Sequence, residues 1–342
     1  MKKFLQFTRY YEWWDYKLGI FLATGLLVLP AAMPESIPGA LGHLGLLLAA
    51  IVVGAVFVSL INDYFDLEDD RKSGKYNRQQ DWPRWKSWLL IALSLAGGAF
   101  FMILFWPSRL TALAYLPPWI AFGMYSIPPV RLKERGVLGS MADASGAHLF
   151  PTLFILVGMH EHLGMSPGPA LLAVFALWSF AFGFRSIACH QFSDLEHDRQ
   201  GEINTFAVLL SKPQRLQWIA RAAMAAEVGS LSFALYLLGQ QVLLLLLLLY
   251  LLLAAVLKRY RAIEFVAIVR PAHDNWRLLM TSFYQTVIPV VLLAQLAIVV
   301  PWMAWLLPVF FLLFLHDIKT IYYDAMSLYY LLKEAVMGRV GQ

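Results

Sequence analysis

Two stretches of this 342-residue chain echo one another in residue types that bind cations. The first reads Asn62-Asp63-Tyr64-Phe65-Asp66-Leu67-Glu68-Asp69-Asp70-Arg71, the second His190-Gln191-Phe192-Ser193-Asp194-Leu195-Glu196-His197-Asp198-Arg199. Both contain Asp-Leu-Glu-x-Asp-Arg and then reach a glycine and an asparagine, Gly74 and Asn77 in one, Gly201 and Asn204 in the other. Residues four apart share a helical face, so Asn62, Asp66 and Asp70 form one polar stripe and His190, Asp194 and Asp198 another. Like charges at such spacing raise each other's pKa unless a cation neutralises them. Sites with few carboxylate oxygens per ion suit magnesium, which keeps waters and accepts substrate phosphate oxygens. Two such clusters, facing each other, would clamp a diphosphate between metal ions. A single acidic run is more simply a solvated helix cap, with Arg71 or Arg199 balancing its neighbours. Two matched runs weigh against that, and related halves around one site explain them.

The elements that must carry these acids are apolar. Hydrophobic residues make up 60% of the chain and charged residues only 14%, against about a quarter charged in soluble domains. A helix needs about 20 apolar residues to cross a bilayer. Candidate spans are Leu18–Met33, Leu41–Ile61, Trp88–Trp106, Thr111–Tyr125, Val137–Met159, Ala170–Ala188, Leu216–Leu238, Val242–Leu257, Leu278–Val299 and a short Met303–Leu315. Each acidic stripe prolongs the end of an apolar helix, where an unpaired carboxylate is costly. Four spans separate the two stripes, so both lie at the same membrane face.

Basic residues concentrate in alternate loops: Arg71, Lys72, Lys75, Arg78, Arg84 and Lys86; then Arg131, Lys133 and Arg135; then Arg199, Lys212 and Arg215. Lys258, Arg259, Arg261, Arg270 and Arg277 follow, and the tail carries Lys319, Lys333 and Arg339. The positive-inside rule then puts both termini and both Asp-rich loops in the cytosol. The net charge of +5 therefore reads as membrane orientation, and no nucleic-acid partner is expected. The single cysteine, Cys189, excludes an internal disulfide framework and a cysteine metal cluster. Lys2, Lys3 and Arg9 before an apolar run, with Ala31 and Ala32 after it, mimic a cleavable signal. Glu12, Asp15, Trp13 and Trp14 and the spans that follow favour a retained first helix.

On these motifs the chain resembles the UbiA superfamily of intramembrane prenyltransferases. That family's Asn-x-x-x-Asp-x-x-x-Asp after the second helix is matched by Asn62, Asp66 and Asp70, and its Asp-x-x-x-Asp after the sixth by Asp194 and Asp198. Tyr125-Ser126-Ile127-Pro128-Pro129-Val130-Arg131-Leu132-Lys133 is similar to the family's loop after the fourth helix, and Gly201 and Thr205 also fall at family positions. His190 departs from the Tyr or Asn that many members carry. The resemblance implies an all-α polytopic membrane protein, a bundle of nine to ten transmembrane helices around a central cavity capped by cytosolic Asp-rich loops. Residues 1–342 are expected to form one domain, with its core at about 10–300 and an extra C-terminal span and tail at 301–342.

The resemblance further implies that Asn62, Asp66, Asp70, Asp194 and Asp198 hold Mg2+ ions bridging a prenyl diphosphate, with Asn62, Asp66 and Asp194 central to catalysis. Lys133, Arg131, Arg71, Lys75 and Arg199 are the candidate diphosphate contacts, with ordinary positive-inside loop charge as the alternative. His190 is open between a donor that orients a neighbouring carboxylate, an acceptor-side base and a satisfied helix-end histidine. Arg185, inside a span, pairs with a helix acid or contacts phosphate. The expected reaction transfers a prenyl group to a lipophilic, aromatic or similar, acceptor within a bacterial inner (cytoplasmic) membrane. Membrane lipid is the expected surrounding, and no obligate protein partner is inferred. Terpene cyclisation, phosphoribosyl transfer to a polyprenyl phosphate, and, outside enzymes, membrane transport stay open at this point.

Overall fold

The computed structural model describes residues 8–31, 33–201, 203–210, 213–261, 264–269 and 276–316, with scattered positions between 318 and 333. Lys2, Lys3, Ala32, Lys212, Arg270 and Arg339, on which the sequence reading drew, lie outside the described residues.

A short α1 (Tyr10–Trp13) passes through a π turn, Trp14–Leu18, into α2 (Gly19–Val28). The long α3 (Ile37–Phe65) follows, with proline in its first turn, where the missing N–H has no partner to lose. At 1.5 Å per residue its 29 residues run about 44 Å. That exceeds a hydrocarbon core of about 30 Å. A small α4 (Leu67–Lys72) turns away from that end, and α5 (Arg84–Phe105) and α6 (Arg109–Ser126) then form an antiparallel pair. The next helix is interrupted: α7 (Val137–Ala144) leads through a second π turn, Ser145–Leu149, into α8 (Phe150–His162). The second half repeats the first element's design. α9 (Pro169–Ser193) starts on a proline and ends at Asp194, and a small α10 (Leu195–Gln200) turns away from it. α11 (Phe206–Leu209), α12 (Pro213–Leu237) and α13 (Gln241–Arg261) follow. A third π turn, Phe283–Val287, opens α14 (Ile288–Val299), and α15 is Leu306–Leu313.

Among the described residues, five helical segments are long and apolar enough to cross a membrane: Pro34–Phe65, Arg84–Phe105, Val137–His162, Pro169–Ser193 and Gln241–Arg259. Large apolar side chains stand exposed on the outward faces, such as Ile103 on α5 and Leu248 and Leu252 on α13. A surface of that kind belongs against lipid rather than water. The expected tenth span differs from a crossing helix. Pro301–Leu313 is an apolar segment of about 20 Å by helical rise, seated on α1's extension by a hydrogen bond that Trp14 Nε1 donates to Leu313 O at 2.9 Å.

The second half is centred on one buried ion pair. Arg185 of α9 and Glu227 of α12 are both fully buried, with Arg185 Nε to Glu227 Oε2 at 2.6 Å and Nη2 to Oε1 at 2.8 Å. Tyr284 donates its hydroxyl to the same carboxylate at 2.6 Å, and its ring meets Trp178 and Phe182 edge-on. Two further guanidinium hydrogens reach Ala267 O at 2.7 Å and Leu279 O at 2.8 Å. Those two carbonyls directly follow two short strands, β1 (Glu264–Val266) and β2 (Trp276–Leu278), which pair in parallel with Glu264 opposite Trp276. They are the only β-strands among the described residues, and Arg185 binds the carbonyl that follows each of them. Arg185 is thus a structural ion pair: it does not line the cavity described below.

Removing one partner of a fully buried pair strands the other, at a cost of about 3–5 kcal/mol. Glu227→Ala is expected to destabilise detergent-solubilised protein by that amount in a chemical unfolding experiment. The double variant Arg185→Met/Glu227→Met is expected to lose less than Glu227→Ala alone.

Candidate active site

The two acidic motifs fold alike. Asp66 ends α3 with φ −95° and ψ −4°, and Asp194 ends α9 with φ −96° and ψ 5°. Asp66 N donates to Asn62 O and Asp194 N to His190 O, both at 3.0 Å; Asp70 N donates to Asp66 O at 2.8 Å and Asp198 N to Asp194 O at 2.9 Å. The chain returns identically as well, with Lys75 N on Asp70 O and Ile203 N on Asp198 O, each at 2.9 Å. In both halves the second aspartate is then held by the residue seven positions on. Asn77 Nδ2 donates to Asp70 Oδ2 at 2.7 Å, and Thr205 Oγ1 donates to Asp198 Oδ2 at 3.1 Å. Asn77 therefore corresponds to Thr205. The sequence echo had placed it opposite Asn204, one residue out of step.

Cations from other elements stand on the first aspartate of each pair. Lys133, on the loop after α6, pairs with Asp66. Lys75, on the loop after α4, crosses to Asp194 with Nζ 3.2 Å from Oδ2, so the first motif supplies a cation to the second. His190 is exposed and sits 3.9 Å from the same carboxylate. Arg131, in a left-handed backbone conformation with φ 35°, pairs with Asp69 and with Glu134 at 2.6 Å and lies 3.5 Å from Asp66. The Lys133 loop is held close to α7 by Gly139, where a Cβ would come within 2.6 Å of Leu132 O. Asn62 accepts a hydrogen bond from Ser126.

These groups ring the mouth of a cavity of about 520 Å³. Asn62, Asp66, Asp70, Asp194, Asp198, Lys75 and Lys133 all line it. Arg131 does not, and Arg71 and Arg199 stay on the exposed faces of α4 and α10, Arg199 3.9 Å from Glu196. Further in, the walls become apolar: Ile51, Gly54 and Val58 of α3, Tyr115 and Trp119 of α6, Phe154 of α8. The cavity is therefore polar and acidic at one end and greasy along its length. Burial pushes the Asp70 carboxyl above the ordinary carboxylate range, opposed by the Asn77 hydrogen bond and reinforced by the Asp66 charge. Asp198 is raised for the same reason, with Thr205 and Asp194 in the matching roles.

The UbiA prenyltransferase family model matches residues 20–283, and the chain belongs to that family. A search of curated proteins gave no match. Among solved structures, the chain is similar to a UbiA homolog from Archaeoglobus fulgidus bound to GPP and Mg2+, at 19% identity and a TM-score of 0.62, covering 87% of this chain and 99% of that one. The same homolog bound to DMAPP and Mg2+ gives 18% identity, a TM-score of 0.62 and the same coverage. A structure of digeranylgeranylglyceryl phosphate synthase matches at 13% identity and a TM-score of 0.53, covering 90% and 98%. At these identities the likeness is one of fold.

Sequence reasoning had not singled out the Asn77 and Lys75 contacts, or Lys17, Asp143 and His148, which also line the cavity. The seven-residue offset from Asp70 to Asn77 and from Asp198 to Thr205 was a readable signal. For the others no spacing rule connects residues so far apart.

The hydrogen bond from Asn77 favours the ionised form of Asp70, so removing it should raise that carboxyl further. In an infrared pH titration the protonated-carboxyl band is expected to persist to higher pH in Asn77→Ala than in the parent protein. Thr205→Val should do the same at Asp198.

Proposed function

We propose that the protein transfers a prenyl group from a prenyl diphosphate to a lipophilic acceptor, with Mg2+ held at the cavity mouth. The observation that carries this is the pair of matched carboxylate motifs facing one cavity whose interior is apolar. Asn62, Asp66 and Asp70 on one wall and Asp194 and Asp198 on the other form an all-oxygen donor set, the kind magnesium prefers. Among the described residues no three His, Cys, Asp or Glu side chains come close enough to hold a metal alone. When bound, magnesium neutralises the diphosphate and makes it a better leaving group.

The chain's own residues supply the rest. Lys133 and Lys75 stand on the carboxylates and are placed to take phosphate oxygens once metal relieves them of that task. Arg131 holds the loop by Asp69 and Glu134, while Arg71 and Arg199 act as surface charge at the cytosolic face. The greasy walls of Ile51, Tyr115, Trp119 and Phe154 receive the isoprenoid tail and keep water from the cationic allylic carbon. With both acidic mouths at one side, the positive-inside rule assigns that side to the cytosol. A transporter would set its ionisable site near mid-membrane, whereas here both carboxylate pairs follow the ends of α3 and α9.

Purified protein should release diphosphate from a prenyl diphosphate in the presence of acceptor and magnesium. Chelation should abolish release, and added magnesium should restore it. Asp66→Ala combined with Asp194→Ala should lower the rate by about 10³-fold or more; normal turnover in that variant, correctly folded, would exclude the scheme. Metal ligands must be deprotonated, and Asp70 and Asp198 titrate above the usual carboxylate range. The magnesium concentration for half-maximal rate should therefore rise as pH falls from about 7 towards 5.

A further inference from the structure

The 22 residues of α5 rise about 33 Å, close to a hydrocarbon core of about 30 Å. Its outward face is exposed and apolar at Leu89, Leu93, Phe100 and Ile103. Exposed tryptophans flank that stripe, Trp85 and Trp88 at one end and Trp106 at the other, where the Arg109 guanidinium lies 4.1 Å from the ring. Tryptophan beside basic residues marks the headgroup level of a bilayer. At the Trp85 end the arrangement is denser. Trp82 and Trp85 both stand exposed, Trp85 at 62%, and Lys86 Nζ lies 5.9 Å and 5.6 Å from their ring centroids. Arg84 is exposed between them, and neither Arg84 nor Lys86 pairs with a carboxylate among the described residues. Asp81, also exposed, is the one acid in residues 73–90, against Lys75, Arg78, Arg84 and Lys86. The surface is therefore aromatic and basic at headgroup depth.

The same segment holds the first carboxylate motif. Trp88 Nε1 donates to the Tyr64 hydroxyl at 2.9 Å, and Tyr64 stands between Asn62 and Asp66 on α3. Trp82 N donates to Gln79 O at 3.0 Å, and the buried Gln79 side chain donates to Leu60 O at 2.9 Å. Gln79 N in turn donates to Asn77 Oδ1 at 2.9 Å, and Asn77 Nδ2 reaches both Asp63 O at 2.8 Å and Asp70 Oδ2 at 2.7 Å. A continuous chain of hydrogen bonds thus runs from Trp82 to Asp70.

We propose that Trp82, Arg84, Trp85 and Lys86 form a docking surface for the headgroup of an anionic phospholipid in the leaflet on the mouth side, and that the docked lipid steadies the loop holding Asp70. Arg84 and Lys86 meet the phosphate, the indoles lie at the glycerol level, and the acyl chains run along Leu89 and Leu93. Two cations without protein partners favour a lipid of net negative charge, because a zwitterionic headgroup brings its own ammonium to the phosphate. The docking stands on this surface alone. Its effect on the site rests on the prenyl-transfer reading, through Asp70.

The test gives the full chain in detergent equal amounts of phosphatidylglycerol and phosphatidylcholine and counts the lipids it keeps by native mass spectrometry. Parent protein should retain phosphatidylglycerol preferentially. Arg84→Gln with Lys86→Gln should lower that preference about tenfold or more, with an unchanged melting profile, whereas Arg84→Lys with Lys86→Arg should keep it. Equal retention of the two lipids by the parent, or an unchanged preference in the glutamine variant, would overturn the docking surface. A lipid-free dimer that the glutamine variant dissociates would overturn it too, assigning the surface to a second copy of the chain. In nanodiscs, phosphatidylglycerol should tighten magnesium-dependent binding of geranyl diphosphate to the parent about fivefold over phosphatidylcholine alone. Trp88→Phe, which lacks the bond to Tyr64, should keep the lipid preference and lose that tightening. Equal affinity of the parent in the two bilayers would overturn the coupling. Failure to bind geranyl diphosphate in either bilayer would remove the prenyl-transfer reading and the coupling with it, while lipid retention would still decide the docking surface.

Discussion

Mutual repulsion among carboxylates is the constraint around which the cavity mouth is built. Asp66, Asp70, Asp194 and Asp198 share a small, partly desolvated space, where burial first and then the neighbouring carboxylate push Asp70 and Asp198 towards the neutral form. The chain answers in two ways. The second aspartate of each pair is held by a hydrogen bond from seven residues on, Asn77 in one half and Thr205 in the other. The first takes a lysine from elsewhere, Lys133 for Asp66 and Lys75 for Asp194. The second arrangement does more than balance charge. Because Lys75 belongs to the loop of the first motif, its pairing with Asp194 fastens the two halves of the site together. Gly136 N, bonded to Asn204 O at 2.8 Å, makes a parallel tie between the Lys133 loop and the return of the second motif.

Charge inside the bundle is used in a different way. Arg185 and Glu227 are fully sequestered, with each guanidinium nitrogen donating to a carboxylate or carbonyl oxygen. A buried pair so fully satisfied is rigid, and it draws the only described strands against α9. Asp143 and His148 line the cavity, and the buried Nδ1 of His148 meets no hydrogen-bond partner among the described residues. One group of polar residues closes the structure and the other leaves it chemically unfinished. That contrast separates scaffold from site within the same apolar surroundings.

Several features could be read along the chain because they are local. The i, i+4 spacing of Asn62, Asp66 and Asp70 and of Asp194 and Asp198 fixes a helical face in any fold, and the apolar runs demand helices against lipid. The repeat of the motif at a distance of four spans pointed to one shared site, and the two aspartates do end their helices with nearly the same backbone angles. The reading faltered where a local register had to be guessed across a turn, matching Asn77 with Asn204 instead of Thr205. It named five basic loop residues as candidate diphosphate contacts, of which Lys75 and Lys133 line the cavity while Arg71, Arg131 and Arg199 do not. A charge in a loop has no direction until the loop is folded.

The sequence by itself therefore determined the membrane class, the carboxylate stripes and their helix-end positions, because hydropathy and helical period act over a few neighbouring residues. Only the tertiary structure decided which cation meets which carboxylate, that Arg185 belongs to the scaffold, and that Lys17 and His148 turn into one cavity. Those outcomes depend on contacts between segments far apart in the chain, from 42 residues for Arg185 and Glu227 to 119 for Lys75 and Asp194. Their geometry is set by close packing of whole helices, which no local pattern encodes.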